Sequence, residues 1–301
     1  MSTRVSENIR NVCFFCSQII LDKKTEEHII PNSLLGKLGI KEQTLGGQGN
    51  FQYSRIKVPA HARCNNEFGS RYENTVLDLL NNTNELFETL SSSTATIDIE
   101  YRPASDERSI IITWLSKIYY GLFYHDYLKL KQDAYKQVCE DIINSENFKI
   151  IQQSYFMNHG FSLPSSIFVF RTLNENFDLR TFAAQQTILL KIKELVLIIC
   201  IADGQLTNAY IDETHIELLR EEIISNEREN PSIPSHIKAL IEILAIRSCI
   251  PKAPKFGYSE DQIINMSFNT MVSNPRTFYK IDETEYKEQK QKITDAIKKQ
   301  L

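Results

Sequence analysis

Several stretches of the chain carry apolar residues every three or four positions, the spacing that places side chains on one face of an α-helix. One follows Cys64, with apolar side chains at Phe68, Tyr72, Val76, Leu79 and Leu80. Residues 213–226, 233–247 and 283–301 show the same spacing. Residues 109–130 form a longer stretch in which the aromatic side chains are Trp114, Tyr119, Tyr120, Phe123 and Tyr124. We predict helices at all these positions and expect the aromatic side chains to lie in a core.

Other stretches have the character of β-strands. Residues 96–101 alternate apolar and polar side chains, and residues 166–172 and 195–203 are short and mostly apolar. Residues 91–95 are small and polar, which is typical of a linker. The sequence therefore predicts an α+β protein. Its first domain would cover residues 1–90, and a larger, mixed, mainly helical domain would cover residues 91–301.

The composition is that of an ordinary globular protein, with 42% hydrophobic and 24% charged residues. No stretch approaches the roughly 18–20 uninterrupted apolar residues that a membrane helix needs. The first residues also lack the apolar run of a secretory signal. We therefore expect a cytoplasmic protein with no membrane partner.

The net charge of −4 is unevenly distributed along the chain. Residues 1–80 carry ten Lys or Arg and eight Asp or Glu, whereas the remainder carries 24 and 30. The basic excess of the first segment is small. It leaves a nucleic-acid partner open without favouring one.

Three of the six cysteines lie in the first quarter of the chain, within two pairs of potential metal ligands. Two residues separate Cys13 from Cys16, and two separate His61 from Cys64. Two such pairs from distant positions suit the tetrahedral coordination of structural zinc. The alternative interpretation is an incidental cysteine pair and a surface histidine. Because the loop-rich segment between the pairs offers little apolar material for a core, we favour zinc.

Glu27 and His28 lie between the two ligand pairs, in the stretch Glu-His-Ile-Ile-Pro that ends at Pro31. An imidazole can accept a proton while a neighbouring carboxylate binds a hard cation. Asn65 directly follows the last proposed zinc ligand and offers an amide oxygen for the same cation. Most Glu-His dipeptides are solvated surface residues, but this one falls inside the loop that zinc would close. We therefore regard these three residues as a candidate catalytic site.

Taken together, Cys-x2-Cys, Glu-His-Ile-Ile-Pro and Cys-Asn-Asn-x-Phe-Gly resemble the HNH endonuclease superfamily, in particular its zinc-stapled bacterial members. The resemblance covers about residues 11–75, a quarter of the chain. It implies a ββα-metal fold with a structural zinc ion in the first domain. It also implies a metal-dependent endonuclease that hydrolyses phosphodiester bonds, with DNA favoured over RNA as the substrate.

The resemblance also implies roles for individual residues. His28 would be the general base that activates water, and Glu27 and Asn65 would bind one catalytic Mg²⁺ or Mn²⁺. Zinc would be held by Cys13, Cys16, His61 and Cys64. Many family members place an asparagine shortly before the second ligand pair, where it orients the base. Residues 55–59 contain none here, and the nearest alternative is Asn50.

Two other functions remain open from the sequence. The chain could be a zinc-dependent nucleic-acid-binding module that does not cleave, with Glu27 and His28 in structural roles. It could also be a bacterial defence or mobile-element effector whose nuclease stays inactive until a partner engages residues 91–301. That second domain could equally mediate binding to a protein partner or to a second copy of the chain.

Overall fold

A computed structural model of the protein describes residues 9–45, 51–91, 107–131, 133–155, 165–211, 213–229, 232–250, 255–258, 264–267 and 281–299. The chain divides into two units, which we describe separately. The first unit contains the described residues up to Asn81 and those between residues 107 and 155. The second contains residues 82–91 and most of the chain after residue 164.

The first unit is built around a two-stranded antiparallel hairpin. Strand β1 (Lys24–His28) pairs with β2 (Lys57–His61), so that Glu27 lies opposite Val58 and His28 opposite Lys57. Because side chains alternate between the two faces of a strand, Glu27 and His28 point to opposite sides of the hairpin. A short helix, α1 (Asn32–Leu38), follows β1. It ends at Gly39, whose φ of 68° is the left-handed conformation that glycine adopts readily.

A helical segment follows β2 without a loop. It consists of α2 (Ala62–Phe68), a π-helical turn (Gly69–Glu73) and α3 (Asn74–Leu79). The helix predicted from the apolar spacing after Cys64 is therefore confirmed. The π-helical turn was not predicted, and such turns are frequent at functional sites.

Helix α4 (Thr83–Ser91) belongs to the second unit, and the chain then returns to the first unit in three helices. These are α5 (Glu107–Lys129), α6 (Asp133–Ile143) and α7 (Glu146–Ser154). Helix α5 is buried on all sides along most of its length, as the aromatic-rich stretch predicts. Its side chains Trp114, Tyr119, Tyr120, Phe123 and Tyr124 are all buried, which confirms their expected place in the core.

The first unit has an aromatic core that includes the two residues between Cys13 and Cys16. Phe14 packs edge-on against Tyr124 with ring centroids 5.5 Å apart, and Phe15 stacks on Phe68 at 4.9 Å. The side-chain amide of Gln152 also donates a 2.6 Å hydrogen bond to the Phe14 carbonyl. These contacts anchor the first ligand pair to α2, α5 and α7.

This packing explains why the two units differ from the predicted domains. We predicted a boundary near residue 90, with everything after it in one domain. Instead, the described residues 107–155 group with the N-terminal segment, and residues 82–91 group with the second unit. The N-terminal segment is too short to bury its own aromatic residues, so α5 and α7 complete its core. The predicted linker at residues 92–95 and strand at residues 96–101 lie outside the described residues.

Helix α5 also approaches the end of β1 closely. A Cβ atom built on Gly121 would lie 2.8 Å from Cγ1 of Ile29 and clash with its Cδ1. The absence of a side chain at Gly121 therefore lets Ile29 pack directly against the helix. This contact fixes the chain immediately after His28.

The second unit contains a four-stranded antiparallel sheet in the order β3–β6–β5–β4. The strands are β3 (Ser166–Arg171), β4 (Asp178–Phe182), β5 (Thr187–Ile192) and β6 (Leu195–Cys200). The helices of this unit are α8 (Leu206–Tyr210), α9 (Glu213–Arg228), α10 (Ser235–Cys249) and α11 (Glu283–Lys298). A separate two-stranded sheet is formed by β7 (Lys255–Tyr258) and β8 (Ile264–Ser267), and most of its residues group with the first unit.

One face of the four-stranded sheet forms a core with α9, α10 and α11, in which Phe170, Ile198 and Leu240 are buried. The strands predicted at residues 166–172 and 195–203 and the three helices predicted after residue 212 are confirmed. The α+β class is confirmed with them. Within the described part of the chain, none of the helices has the length and apolar character needed to cross a membrane.

Candidate functional site

Four predicted metal ligands come together in the first unit. The ligand atoms of Cys13, Cys16, His61 and Cys64 all lie within 4.8 Å of one another. Nδ1 of His61 is 3.4 Å from Sγ of Cys16 and 3.9 Å from Sγ of Cys64. Among the described residues, this is the one group of three or more Cys, His, Asp or Glu side chains that could hold a metal ion.

Local backbone geometry forms each half of this cluster. The first pair lies on a tight turn, in which the Ser17 amide donates to the Cys13 carbonyl at 2.9 Å and Ser17 has a φ of 58°. The second pair spans the junction between β2 and α2. The two halves meet where the backbone amide of His61 donates to Sγ of Cys13 at 3.4 Å.

Asp22 lies on the outer side of His61, with Oδ1 3.8 Å from Nε2 of the imidazole. A carboxylate on the second nitrogen of a metal-binding histidine favours the tautomer whose first nitrogen faces the metal. Here that first nitrogen is Nδ1, which faces the cysteines. Asp22 was not identified from the sequence.

The thiol groups of the cluster are held close together, with Cys13 buried and Cys16 and Cys64 half-buried. Burial raises the pKa of Cys64 above its ordinary value, and the neighbouring Cys13 and Cys16 raise it further. Burial also raises the pKa of Cys16. Three closely spaced thiolates therefore need a compensating positive charge, which a bound metal ion would supply.

Glu27 and Asn65, the two predicted ligands for a catalytic cation, are also in contact. Glu27 ends the buried face of β1 and is 6% exposed. The Asn65 side chain in α2 lies near this carboxylate and favours its charged form. The antiparallel hairpin and the helix that follows it directly therefore bring together residues 38 positions apart in the sequence.

Lys117 of α5 occupies the same site and was not predicted. It is fully buried, and its Nζ lies 2.6 Å from Oε1 of Glu27 and 2.8 Å from Oε1 of Glu73. The same ammonium donates to the carbonyls of His28 at 2.8 Å and Ile29 at 3.0 Å. Glu73 lies in the π-helical turn. A lysine in the otherwise apolar stretch of α5 was the available sign in the sequence, because buried lysines require partners.

Burial and ion pairing shift the pKa values of this cluster in opposite directions. Burial raises the pKa of Glu27, while the ammonium of Lys117 lowers it, and the net direction is upward. Burial lowers the pKa of Lys117, but the Glu73 and Glu27 carboxylates reverse this and leave it above its ordinary value. The lysine is therefore charged at neutral pH.

His28 lies on the other face of β1, half-buried at the end of the strand. Partial burial lowers its pKa below the ordinary value of 6.5, and the positive charges of Lys57 and Lys117 lower it further. Its imidazole has no hydrogen-bond partner among the side chains and backbone groups that the structure describes. Asn50, the suggested orienting residue, lies outside the described residues.

A basic cavity of about 200 Å³ lies on the face of the hairpin that carries His28. It is lined by four basic residues, Arg10, Lys24, Lys57 and Lys129, and by one acidic residue, Glu26. Lys57 is the strand partner of His28 and lies 3.8 Å from the Glu26 carboxylate. The positive charge of the cavity exceeds the negative charge, so the cavity suits an anion.

Comparisons with known proteins give no match to this chain, whether with family models, with curated proteins or with solved structures.

Proposed function

We propose that the protein is a metal-dependent endonuclease of the HNH type that hydrolyses phosphodiester bonds, with DNA favoured over RNA. The observation that carries the proposal is the closeness of Asn65 in α2 to Glu27 at the end of β1. Glu27 directly precedes His28 in the strand, and the same hairpin and helix bring His61 and Cys64 to the cysteine cluster. A hairpin followed at once by a helix is also the order of elements that the ββα-metal fold implies.

Zinc is the metal that best suits the cluster of Cys13, Cys16, His61 and Cys64. In tetrahedral zinc sites, the bond lengths place sulfur and nitrogen ligands about 3.6 Å apart. The separations of 3.4 and 3.9 Å from Nδ1 of His61 lie on either side of this value. Because four protein ligands fill the tetrahedron, we assign the zinc a structural role.

The oxygen donors at Glu27 and Asn65 suit a hard cation such as Mg²⁺ or Mn²⁺. Lys117 hydrogen-bonds to Oε1 of Glu27, and such a cation would be bound through the other carboxylate oxygen. A cation held by these two residues would stabilise the negative charge on the leaving 3′ oxygen of the substrate.

His28 would act as the general base. Its neutral imidazole accepts a proton from water while the water oxygen forms a bond to phosphorus. The bond from phosphorus to the 3′ oxygen breaks, and that oxygen takes a proton from solvent. The lowered pKa of His28 supports this role, because it keeps the ring neutral at neutral pH.

The basic cavity supports a nucleic-acid substrate. Phosphate contacts from Lys and Arg supply most of the sequence-independent affinity for nucleic acid. Lys57 lines the cavity and is the strand partner of His28. A strand whose phosphates lie in the cavity would therefore have a neighbouring phosphodiester close to the imidazole.

A zinc-stabilised nucleic-acid-binding protein without cleavage activity is the second candidate. The ion pair between Lys117 and Glu27 favours it, since the ammonium lies 2.6 Å from the carboxylate that would attract a divalent cation. In that case the Glu27 cluster would be purely structural, and the basic cavity would account for binding.

One assay separates these two functions. Full-length protein is incubated with plasmid DNA, single-stranded DNA or RNA in the presence of Mg²⁺, Mn²⁺ or a chelator, and binding is measured in parallel in the chelator. The endonuclease proposal expects metal-dependent cleavage of at least one substrate. Binding without cleavage under all these conditions would favour the second candidate.

A further inference from the structure

Lys117 connects three separate segments of the first unit at one point. The ammonium group comes from α5 and contacts the end of β1 through Glu27, His28 and Ile29. It contacts the π-helical turn through Glu73. Two of its four acceptors are carboxylate oxygens and two are peptide carbonyls. Every N–H of the ammonium therefore has an acceptor, and its positive charge is paired.

A buried ion pair of this kind is weak support for stability, because desolvation offsets most of the Coulomb attraction. Replacing the whole ion-paired group by apolar side chains of similar size can leave stability unchanged, whereas removing one partner alone leaves a buried charge unpaired. Lys191 in the second unit is also fully buried but has different hydrogen-bond partners. Its ammonium contacts the carbonyls of Asn174, Asn176 and Lys193, and it has no carboxylate within hydrogen-bonding distance among the residues that the structure describes.

We infer that Lys117 is a positioning residue for the site at the end of β1. Its ammonium fixes the Glu27 carboxylate through Oε1 and fixes the two peptide groups that flank Ile29, through the carbonyls of His28 and Ile29. The chemical meaning of this role rests on the proposed function, since Glu27 is the proposed cation ligand. The positioning itself is a property of the fold.

The charges of the cluster fit this role. Glu27 and Glu73 contribute two negative charges and Lys117 one positive charge, so one negative charge remains at the site. The remaining charge attracts a cation, while the ammonium between the two carboxylates reduces the repulsion of buried Glu27 by half-buried Glu73. The charge of Lys117 therefore reduces the net negative charge of the site. Its hydrogen bonds fix one carboxylate oxygen of Glu27 and the end of β1.

A charge-matched double variant tests the inference. Lys117→Met with Glu73→Gln removes one positive and one negative charge, so the net charge of the cluster is unchanged while the hydrogen bonds of the ammonium are lost. The single variant Glu73→Gln keeps the ammonium and its other acceptors. Lys191→Met is the matched control, because it removes an equally buried lysine from the second unit.

Two measurements are made on the full-length zinc-loaded protein, without substrate. Hydrogen exchange is followed for the peptide covering residues 24–31, in which the Ile29 amide donates to the Ile56 carbonyl at 3.1 Å. Binding of Mn²⁺ is followed by its paramagnetic resonance spectrum. Zinc content and thermal unfolding establish that each variant is folded.

We expect the double variant to retain zinc, to exchange the amides of residues 24–31 at least tenfold faster, and to bind Mn²⁺ at least tenfold more weakly. Glu73→Gln and Lys191→Met should leave exchange in this peptide near that of the wild type. If a folded double variant exchanges the amides of residues 24–31 at the wild-type rate, the inference is overturned, and Lys117 is a buried charge that does not position the end of β1. If the wild type itself binds no Mn²⁺, the proposed cation site fails, while the exchange comparison still decides whether Lys117 positions the strand end.

Discussion

His28 is the residue on which the proposed chemistry depends, and its environment predicts a particular pH dependence. A base is active only when neutral, and partial burial with nearby Lys57 and Lys117 lowers the pKa of His28 below 6.5. Activity should therefore rise as pH increases through a midpoint below 6.5 and reach a plateau at neutral pH. The measurement is kcat/KM against pH, and an acid midpoint clearly above 6.5 would contradict the assigned environment of this base.

Glu27 and Asn65 should respond to substitution differently from His28. Glu27→Gln and Asn65→Ala remove cation ligands, so both should raise the Mg²⁺ concentration needed for half-maximal cleavage by about tenfold or more. Higher Mn²⁺ should partly restore cleavage, since Mn²⁺ binds such ligands more strongly than Mg²⁺. The check is a metal titration of each variant. A Mg²⁺ dependence identical to that of the wild type would remove these residues from the cation site.

At the scale of single residues, the sequence revealed the side chains that cluster but not the residues that contact them. Regular spacing and a short motif identified the cysteine and histidine pairs and the Glu27 site. Lys117 is 90 residues from Glu27 in the sequence, and only the packing of α5 against the hairpin brings them together. Asp22 was missed for a similar reason, because an isolated aspartate has no local pattern that relates it to His61.

Among the structural elements, the turn that carries Cys13 and Cys16 should depend on the metal. Cys64→Ser removes one ligand of the cluster, and in small zinc domains the metal contributes about 10–16 kcal/mol of binding free energy to folding. We expect this variant to lose its zinc and the cooperative unfolding of the first unit. Elemental analysis and thermal unfolding provide the measurement.

Cys139→Ser is the control for that experiment, since Cys139 is buried in α6 outside the cluster. It should retain one equivalent of zinc. A Cys64→Ser variant that is as stable as the wild type, or a wild-type protein that folds without zinc, would contradict the assignment of the cluster as a structural centre.

Helices with strong apolar periodicity were predictable as elements, whereas their local irregularities were not. The segment from Ala62 to Leu79 follows the expected pattern, yet its centre is a π-helical turn. Hydrophobic spacing of four residues, as between Phe68 and Tyr72, is compatible with either form of helix. The π-helical turn carries Glu73. Its role can be recognised only from the structure, in which Glu73 forms an ion pair with Lys117.

For the whole molecule, the division of the chain into two units was the feature least predictable from the sequence. A polar stretch near residue 91 suggested a boundary, but α5 to α7 return to complete the aromatic core of the first unit. Local composition does not record which apolar surfaces pack together over such sequence distances. The role of a partner or a second copy at residues 91–301 remains a prediction.

The basic cavity predicts how the protein as a whole should respond to salt. Each phosphate contact contributes about −0.7 to −0.9 to the slope of log K against log salt concentration. The double variant Lys57→Gln with Lys129→Gln should therefore reduce the steepness of this slope by about 1.5 for a fluorescent oligonucleotide bound in chelator. Lys149→Gln, an exposed lysine of α7 paired with Glu146, is the control and should leave the slope unchanged. An unchanged slope in the double variant would exclude the cavity as a phosphate site.

The measurement that tests the central claim most directly is nucleic-acid cleavage by His28→Ala. A general base contributes about 10²–10⁴-fold to the rate, so this variant should lose cleavage by that factor while keeping its zinc, its thermal stability and its oligonucleotide affinity. His215→Ala, a substitution of a half-exposed histidine in the second unit, should cleave like the wild type. Metal-dependent cleavage at the wild-type rate by purified His28→Ala would contradict the proposed mechanism.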